Sequence, residues 1–222
     1  MFVLAYEILF VLLTAGLFLA LGDVLDFIGD SLVSANPVLI QQQSTEALRA
    51  FFVNSILAII GTLVCVFILY VIFQWFGWKT VVKKPAKFWK FFLLNLIWLA
   101  SWLVFDWFII IGLRGVYAVI GVTILASAFL HLTGILHRTY VAGETQIGKA
   151  ISKTFAIGFG KIHKFVLPYA LAVIVFVVWS QVWILSPVDS TGGFALISLF
   201  CVVFAPFLAW YKFYLNRILD II

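Results

Sequence analysis

The chain has 222 residues, of which 65% are hydrophobic and only 10% charged, and its mean hydropathy is +1.21. Soluble domains average roughly 45–50% apolar and about 25% charged residues, so a water-facing enzyme or binding module is excluded. Intrinsic disorder is excluded too, because it needs the opposite composition. What remains is an all-α integral membrane protein, since open sheet edges cannot be satisfied in lipid. The 14 Lys and Arg against 9 Asp and Glu then read as topology signals and contacts to anionic lipid, with no nucleic-acid partner implied.

A membrane-crossing helix needs about 20 mostly apolar residues. Six segments qualify, at about 2–21, 47–75, 90–111, 116–136, 164–185 and 194–212. The first lacks a basic leader and has Asp23 where a small-residue cleavage site would stand, so it is read as a retained span. Residues 23–34 (DVLDFIGDSLVS) place Asp23, Asp26 and Asp30 at helical spacing between Leu25, Ile28 and Leu32. That pattern predicts a short amphipathic helix on the membrane surface. Its aspartates read as a solvated acidic face, because their spacing does not match a Ca²⁺-binding loop. Asn36-Pro37 predicts a turn and Gln41-Gln42-Gln43 a polar loop. Ser44-Thr45-Glu46 marks the start of the second span with a capping hydroxyl and a first-turn acid.

The third and fourth spans are joined only by Gly112-Leu113-Arg114-Gly115 and must be adjacent and antiparallel. Residues 145–162 (TQIGKAISKTFAIGFGKI) predict a second interfacial helix, with Ile147, Ile151, Phe155, Phe159 and Ile162 as an apolar stripe. Lys149, Lys153 and Lys161 flank that stripe and are expected to contact lipid headgroups. Pro168 falls in the first turn of the fifth span, where it is tolerated, and Pro206 inside the sixth, where a kink is expected. Cys65 and Cys201 lie in apolar runs and are too few for a metal site or a disulfide framework.

Orientation follows from the basic residues. Twelve of the 14 fall on one side: Lys79, Lys83, Lys84, Lys87 and Lys90, then Arg138, Lys149, Lys153, Lys161 and Lys164, and finally Lys212 and Arg217. Only Arg49 and Arg114 fall on the other, beside Asp23, Asp26, Asp30, Glu46 and Asp189. The expectation is a single polytopic domain, 1–222, with both termini cytoplasmic. The halves each hold three spans, the arrangement of an inverted repeat, but the lysine cluster has no counterpart after the fifth span.

Ionisable groups inside apolar spans are costly and default to functional candidates. They are Glu7, Asp106 and His131, joined by the polar Asn95 and Gln181. Folding the third and fourth spans about Leu113–Arg114 predicts Asn95 beside His131. It leaves Arg114, Ser180 and Gln181 as donors for Asp106. Arg138 is a candidate partner for Glu7. Asp106 and His131 differ in depth by about 14 Å on the helical rise, too far for direct proton transfer. Ser127 and His131 share a helix face at i,i+4 spacing, but no third orienting residue or oxyanion motif accompanies them.

No metalloprotease, phosphate-loop or dinucleotide motif occurs, and no cofactor or metal is implied. The leading functional reading is therefore a non-enzymatic accessory or structural subunit, packing against partner membrane proteins, copies of itself, or lipid. The alternative is a small oligomeric transporter or channel using Asp106 and His131. The third is an intramembrane enzyme acting on lipid. The topology has its own test. Cysteines introduced in residues 79–90 and 145–162 should be protected from an impermeant reagent outside intact cells, and those in 23–44 and 187–193 should react. Outside labelling of Lys84→Cys is the contrary result.

Overall fold

A computed structural model of the chain describes residues 2–33, 45–83, 87–143, 146–185 and 190–221. These form seven α-helices, with no strand among the described residues: α1 (Phe2–Val33), α2 (Thr45–Val82), α3 (Phe88–Gly112), α4 (Val116–Val141), α5 (Ile147–Gly160), α6 (Val166–Leu185) and α7 (Ser190–Ile221). A 3-10 turn, Ile162–Phe165, joins α5 to α6. Among the described residues, four helical stretches are long and apolar enough to cross a membrane: Phe2–Gly29, Arg49–Val82, Phe88–Gly112 and Ile120–Val141. Ile147–Gly160 and Ile162–Val175, two pieces bent by 79°, make a fifth only when counted together as one span. The expected sixth span, 194–212, lies on α7, which runs through Pro206 as one helix. The Asn36-Pro37 turn, the Gln41–Gln43 loop and residues 187–189 lie outside the described residues.

The structure corrects one expectation about the elements. Residues 23–33 are not a separate surface helix but the continuation of α1, which is 32 residues long. Nothing there stops a helix: Gly22 and Asp23 each lower helix propensity by about 1 kcal/mol or less, and no proline intervenes. The second patterned segment is helical, as α5, and its packed face is made of small residues. Ala150, Thr154 and Gly158 are its buried residues. Phe155, Phe159 and Ile162 are exposed. Small side chains face the neighbouring helix because they let two backbones approach closely, the usual basis of helix contact in a membrane.

The contacts divide the chain into two units, one of residues 8–72 and one of Met1–Glu7 with Phe73–Ile222. Residues 8–72 expose bulky apolar side chains along both helices, among them Leu19, Phe27, Phe52 and Leu57 at 60–76%. A shallow apolar groove of about 490 Å³ runs between Leu12, Leu13, Gly16 and Leu17 of α1 and Cys65, Ile68 and Leu69 of α2.

The second unit is built around the C-terminal half of α4. Every residue from His131 to Val141 is buried except Arg138, which is half-buried. α4 packs against α3, α5 and α7, while α6 packs on α7. The N-terminal half of α4 is open, with Tyr117, Ile124 and Leu130 exposed. α2 ends at Lys83, whose backbone is left-handed (φ 56) and whose N–H donates to the Lys79 carbonyl at 2.9 Å.

The α4–α5 contact turns on Gly158. A Cβ there would overlap the Leu132 side chain and sit 3.3 Å from His131 Nε2. Gly158→Ala should therefore destabilise the protein by about 1–3 kcal/mol in a detergent unfolding titration. Gly148→Ala, where a Cβ meets nothing within 4 Å, should instead be neutral or stabilising by up to about 1 kcal/mol. Equal effects at the two positions would contradict this packing.

Candidate functional site

Several polar side chains of the second unit pair with one another across helices. Glu7 of α1 and Lys212 of α7 form a buried ion pair, Nζ donating to Oε1, and both residues are at most 4% exposed. Lys212 reaches this position because Ala205, Ala209, Leu215 and Leu219 are buried on the same face of α7, at helical three- and four-residue spacing. Val3, Val81 and Ala209 form an apolar cluster of buried residues, with Leu4 packed against it. The Trp78 ring stands 5.9 Å from Nζ, within range of a cation–π attraction. Gly77 makes room for the ammonium, since a Cβ there would lie 2.6 Å from Nζ.

A second set of bonds ties α3 to α4. His137 Nε2–H donates to Asn95 Oδ1 at 2.6 Å, and Asn95 Nδ2 donates to the Phe91 carbonyl at 2.8 Å. Three residues further along α3, Trp98 Nε1–H donates to Thr133 Oγ1 at 2.8 Å. The Thr133 hydroxyl in turn donates to the Phe129 carbonyl. Asn95, Trp98, Thr133 and His137 are all at most 5% exposed. Near the C-terminal end of α4, Arg138 bonds Asp220 and donates from Nε to Asn216 Oδ1 at 3.2 Å.

His131 lies on another side of α4. Its Nε2–H donates to the Gly158 carbonyl at 3.2 Å, and its ring packs against Phe165 and Tyr169. Gly158 is close to the C-terminal end of α5, where carbonyls lack a partner within the helix, so the imidazole acts as a cap supplied by a neighbouring helix. Its Nδ1 is shielded and has no partner among the described residues.

The sequence candidates are thus distributed differently from the expectation. Asn95 pairs with His137, not His131. The fold about Leu113–Arg114 fails because Leu113 is extended (φ −115, ψ 151) and the two helices are staggered, so that Gly121 comes against Ile109 and Leu113. Glu7 pairs with Lys212 rather than Arg138, whose guanidinium is taken by Asp220. Asp106 does not bond Arg114, which is exposed and lies beyond the end of α3 at Gly112. Asp106 makes no bond with any described residue, and its Oδ1 is shielded without a partner. The Ser127 hydroxyl donates to the Thr123 carbonyl and leaves His131 alone. Gln181 falls on α6, and its side chain lies outside the described residues.

Lys149, Lys153 and Lys161 are exposed. Among the described residues, no three His, Cys, Asp or Glu side chains gather as a metal site requires. Lys212, His137, Trp98 and Thr133 were missed from the sequence. Thr133 and His137 stand at i,i+4, and Lys212 interrupts a buried apolar stripe, so both signals were present.

No protein-family model, curated protein or solved structure matches the chain.

The ion pair predicts a specific mutational pattern. Glu7→Gln or Lys212→Met alone should cost about 3–5 kcal/mol, because each strands a buried partner. Replacing both by methionine should cost much less than the two single changes combined. Strict additivity in a detergent unfolding cycle would show that the two groups do not interact.

Proposed function

We propose that residues 1–222 form one polytopic domain with six spans and both termini in the cytoplasm, and that the protein is a non-enzymatic accessory or structural subunit. The observation that carries the reading is how the polar groups are used. Glu7 with Lys212, His137 with Asn95, Trp98 with Thr133 and Arg138 with Asp220 hold helices to one another. Each bond of this kind is worth about 0.6–2 kcal/mol in a membrane protein.

Outside this interlock, bulky side chains such as Phe105, Trp107, Phe108 and Tyr117 are 55–70% exposed. Such surfaces suit lipid or the helices of another membrane protein. Lys212, buried against a carboxylate, drops out of the orientation count. The remaining basic residues on that side still outnumber Arg49 and Arg114. The exposed Lys149, Lys153 and Lys161 suit anionic headgroups at the cytoplasmic face. A small oligomeric transporter or channel is the second reading, favoured by the shielded, unpartnered atoms of Asp106 and His131.

Purification in a gentle detergent or in native lipid discs, followed by mass analysis, tests the reading. Partner chains at fixed stoichiometry are the expected result. A chain that purifies alone overturns it, and proton or ion flux from that lone chain in liposomes would favour transport instead.

A further inference from the structure

α5 has three faces of different character. Ala150, Thr154 and Gly158 are buried, and Gly158 lies against Leu132 and His131 of α4. Gly148, Phe155 and Phe159, at seven- and four-residue intervals, form a second face and are exposed. The Phe155 and Phe159 rings are stacked, with centroids 5.9 Å apart. Lys149, Lys153, Ala156 and Gly160 form a third face, also exposed, roughly a third of the way round the helix from the aromatic one. The exposed Ser152 stands at the border between the two.

The direction of α5 is an independent observation. It is bent by 79° from the helical piece Ile162–Val175. Where α6 stands upright in a bilayer, α5 therefore lies within about 11° of the membrane plane. Phe155 also meets the Trp98 ring at 5.8 Å, and Trp98 stands about 15 Å along α3 from Phe88 by helical rise. The aromatic face thus reaches a level within the apolar length of α3, while the lysines point elsewhere.

Resting on the cytoplasmic placement of these lysines proposed above, we infer that α5 lies half-inserted in the inner leaflet and selects anionic phospholipid there. Gly148, Phe155 and Phe159 face the acyl chains. Lys149 and Lys153, about 6 Å apart along the axis, lay their stems over the apolar boundary and place their ammonium groups among the phosphates. Charge complementarity decides the occupant: a zwitterionic leaflet satisfies the aromatic face alone, whereas the two lysines gain from headgroups of net negative charge. Because the third face is held on α4, the charge of the leaflet bears on the helix that gathers the bundle.

The test uses the full chain in lipid nanodiscs of phosphatidylcholine, alone or with phosphatidylglycerol at about three to one. With Cys65→Ser and Cys201→Ser as background, a fluorophore is attached at Gly148→Cys or Ala156→Cys. These exposed positions report the aromatic and basic faces without removing a phenylalanine or a lysine. Lipids brominated on the acyl chain should quench the label at 148 and spare the one at 156. Acceptor-labelled lipids should show phosphatidylglycerol enriched over phosphatidylcholine beside position 156 by about fivefold or more, equivalent to roughly 1 kcal/mol. Lys149→Gln with Lys153→Gln should abolish the enrichment. Lys83→Gln with Lys84→Gln, the same change of charge elsewhere, should leave most of it. Circular dichroism checks that every variant keeps its helix content.

Quenching of both labels, as in a re-entrant span, quenching of neither, or enrichment that survives Lys149→Gln with Lys153→Gln overturns the inference. Reaction of Ala156→Cys with an impermeant reagent outside intact cells overturns the inner-leaflet assignment whatever the discs show. If partner chains co-purify at fixed stoichiometry but neither label is quenched, the subunit reading stands and this site falls. If the chain purifies alone yet shows the lysine-dependent enrichment, the site stands and the subunit reading falls.

Discussion

Hydrocarbon offers no hydrogen-bond partner and gives apolar helices little reason to prefer one another over lipid. Helix association in this chain therefore depends on small residues and on polar side chains that find each other. Both are concentrated in residues 131–141 of α4, which is why this stretch is buried on nearly every side. Thr133 and His137 bond α3, His131 caps α5, and Arg138 bonds α7. Four polar residues within two turns thus recruit three neighbouring helices. The open N-terminal half of α4 has the same apolar character without such groups facing its neighbours, and it stays uncovered.

The long apolar helices were legible because a run of 20 apolar residues has few alternatives, and four of them are long and apolar enough to cross a membrane among the described residues. Their ends were less so. The aspartates after Leu21 mark where hydrophobicity falls, not where hydrogen bonding stops, and α1 continues to Val33. α2 likewise extends to Val82, seven residues past the apolar limit read at 75. The same distinction governs α5. Its bulky stripe was legible as an apolar face, but the small residues Ala150, Thr154 and Gly158 that packing between helices selected left no periodic hydrophobic signal.

Partner choice among the polar residues was the least legible level. Asn95 was rightly placed against a histidine of α4, yet the histidine is His137, because a short extended connection sets a stagger that symmetrical folding cannot supply. Lys212 was assigned to a cytoplasmic tail for its charge, although the buried alanines and leucines spaced around it put it on the inner face of α7. Its partner lies 205 residues away at the other end of the chain, a separation at which no local pattern carries information. Asp106, read as needing a donor, bonds no described residue, and the side chains of Ser180 and Gln181 lie outside the described residues.

Lys83 closes α2 in the left-handed conformation, where helices usually place glycine and sometimes asparagine. A residue with a Cβ costs roughly 1–2 kcal/mol there. Glycine at 83 would end the helix at lower energy with the same bond back to the Lys79 carbonyl, yet a charged side chain occupies the position, followed by Lys84. If these lysines hold the connection in the cytoplasm, their charge acts once, while the chain is being inserted. The backbone strain persists for as long as the protein lasts, so replacing Lys83 by glycine would relax this turn while removing one charge from the connection.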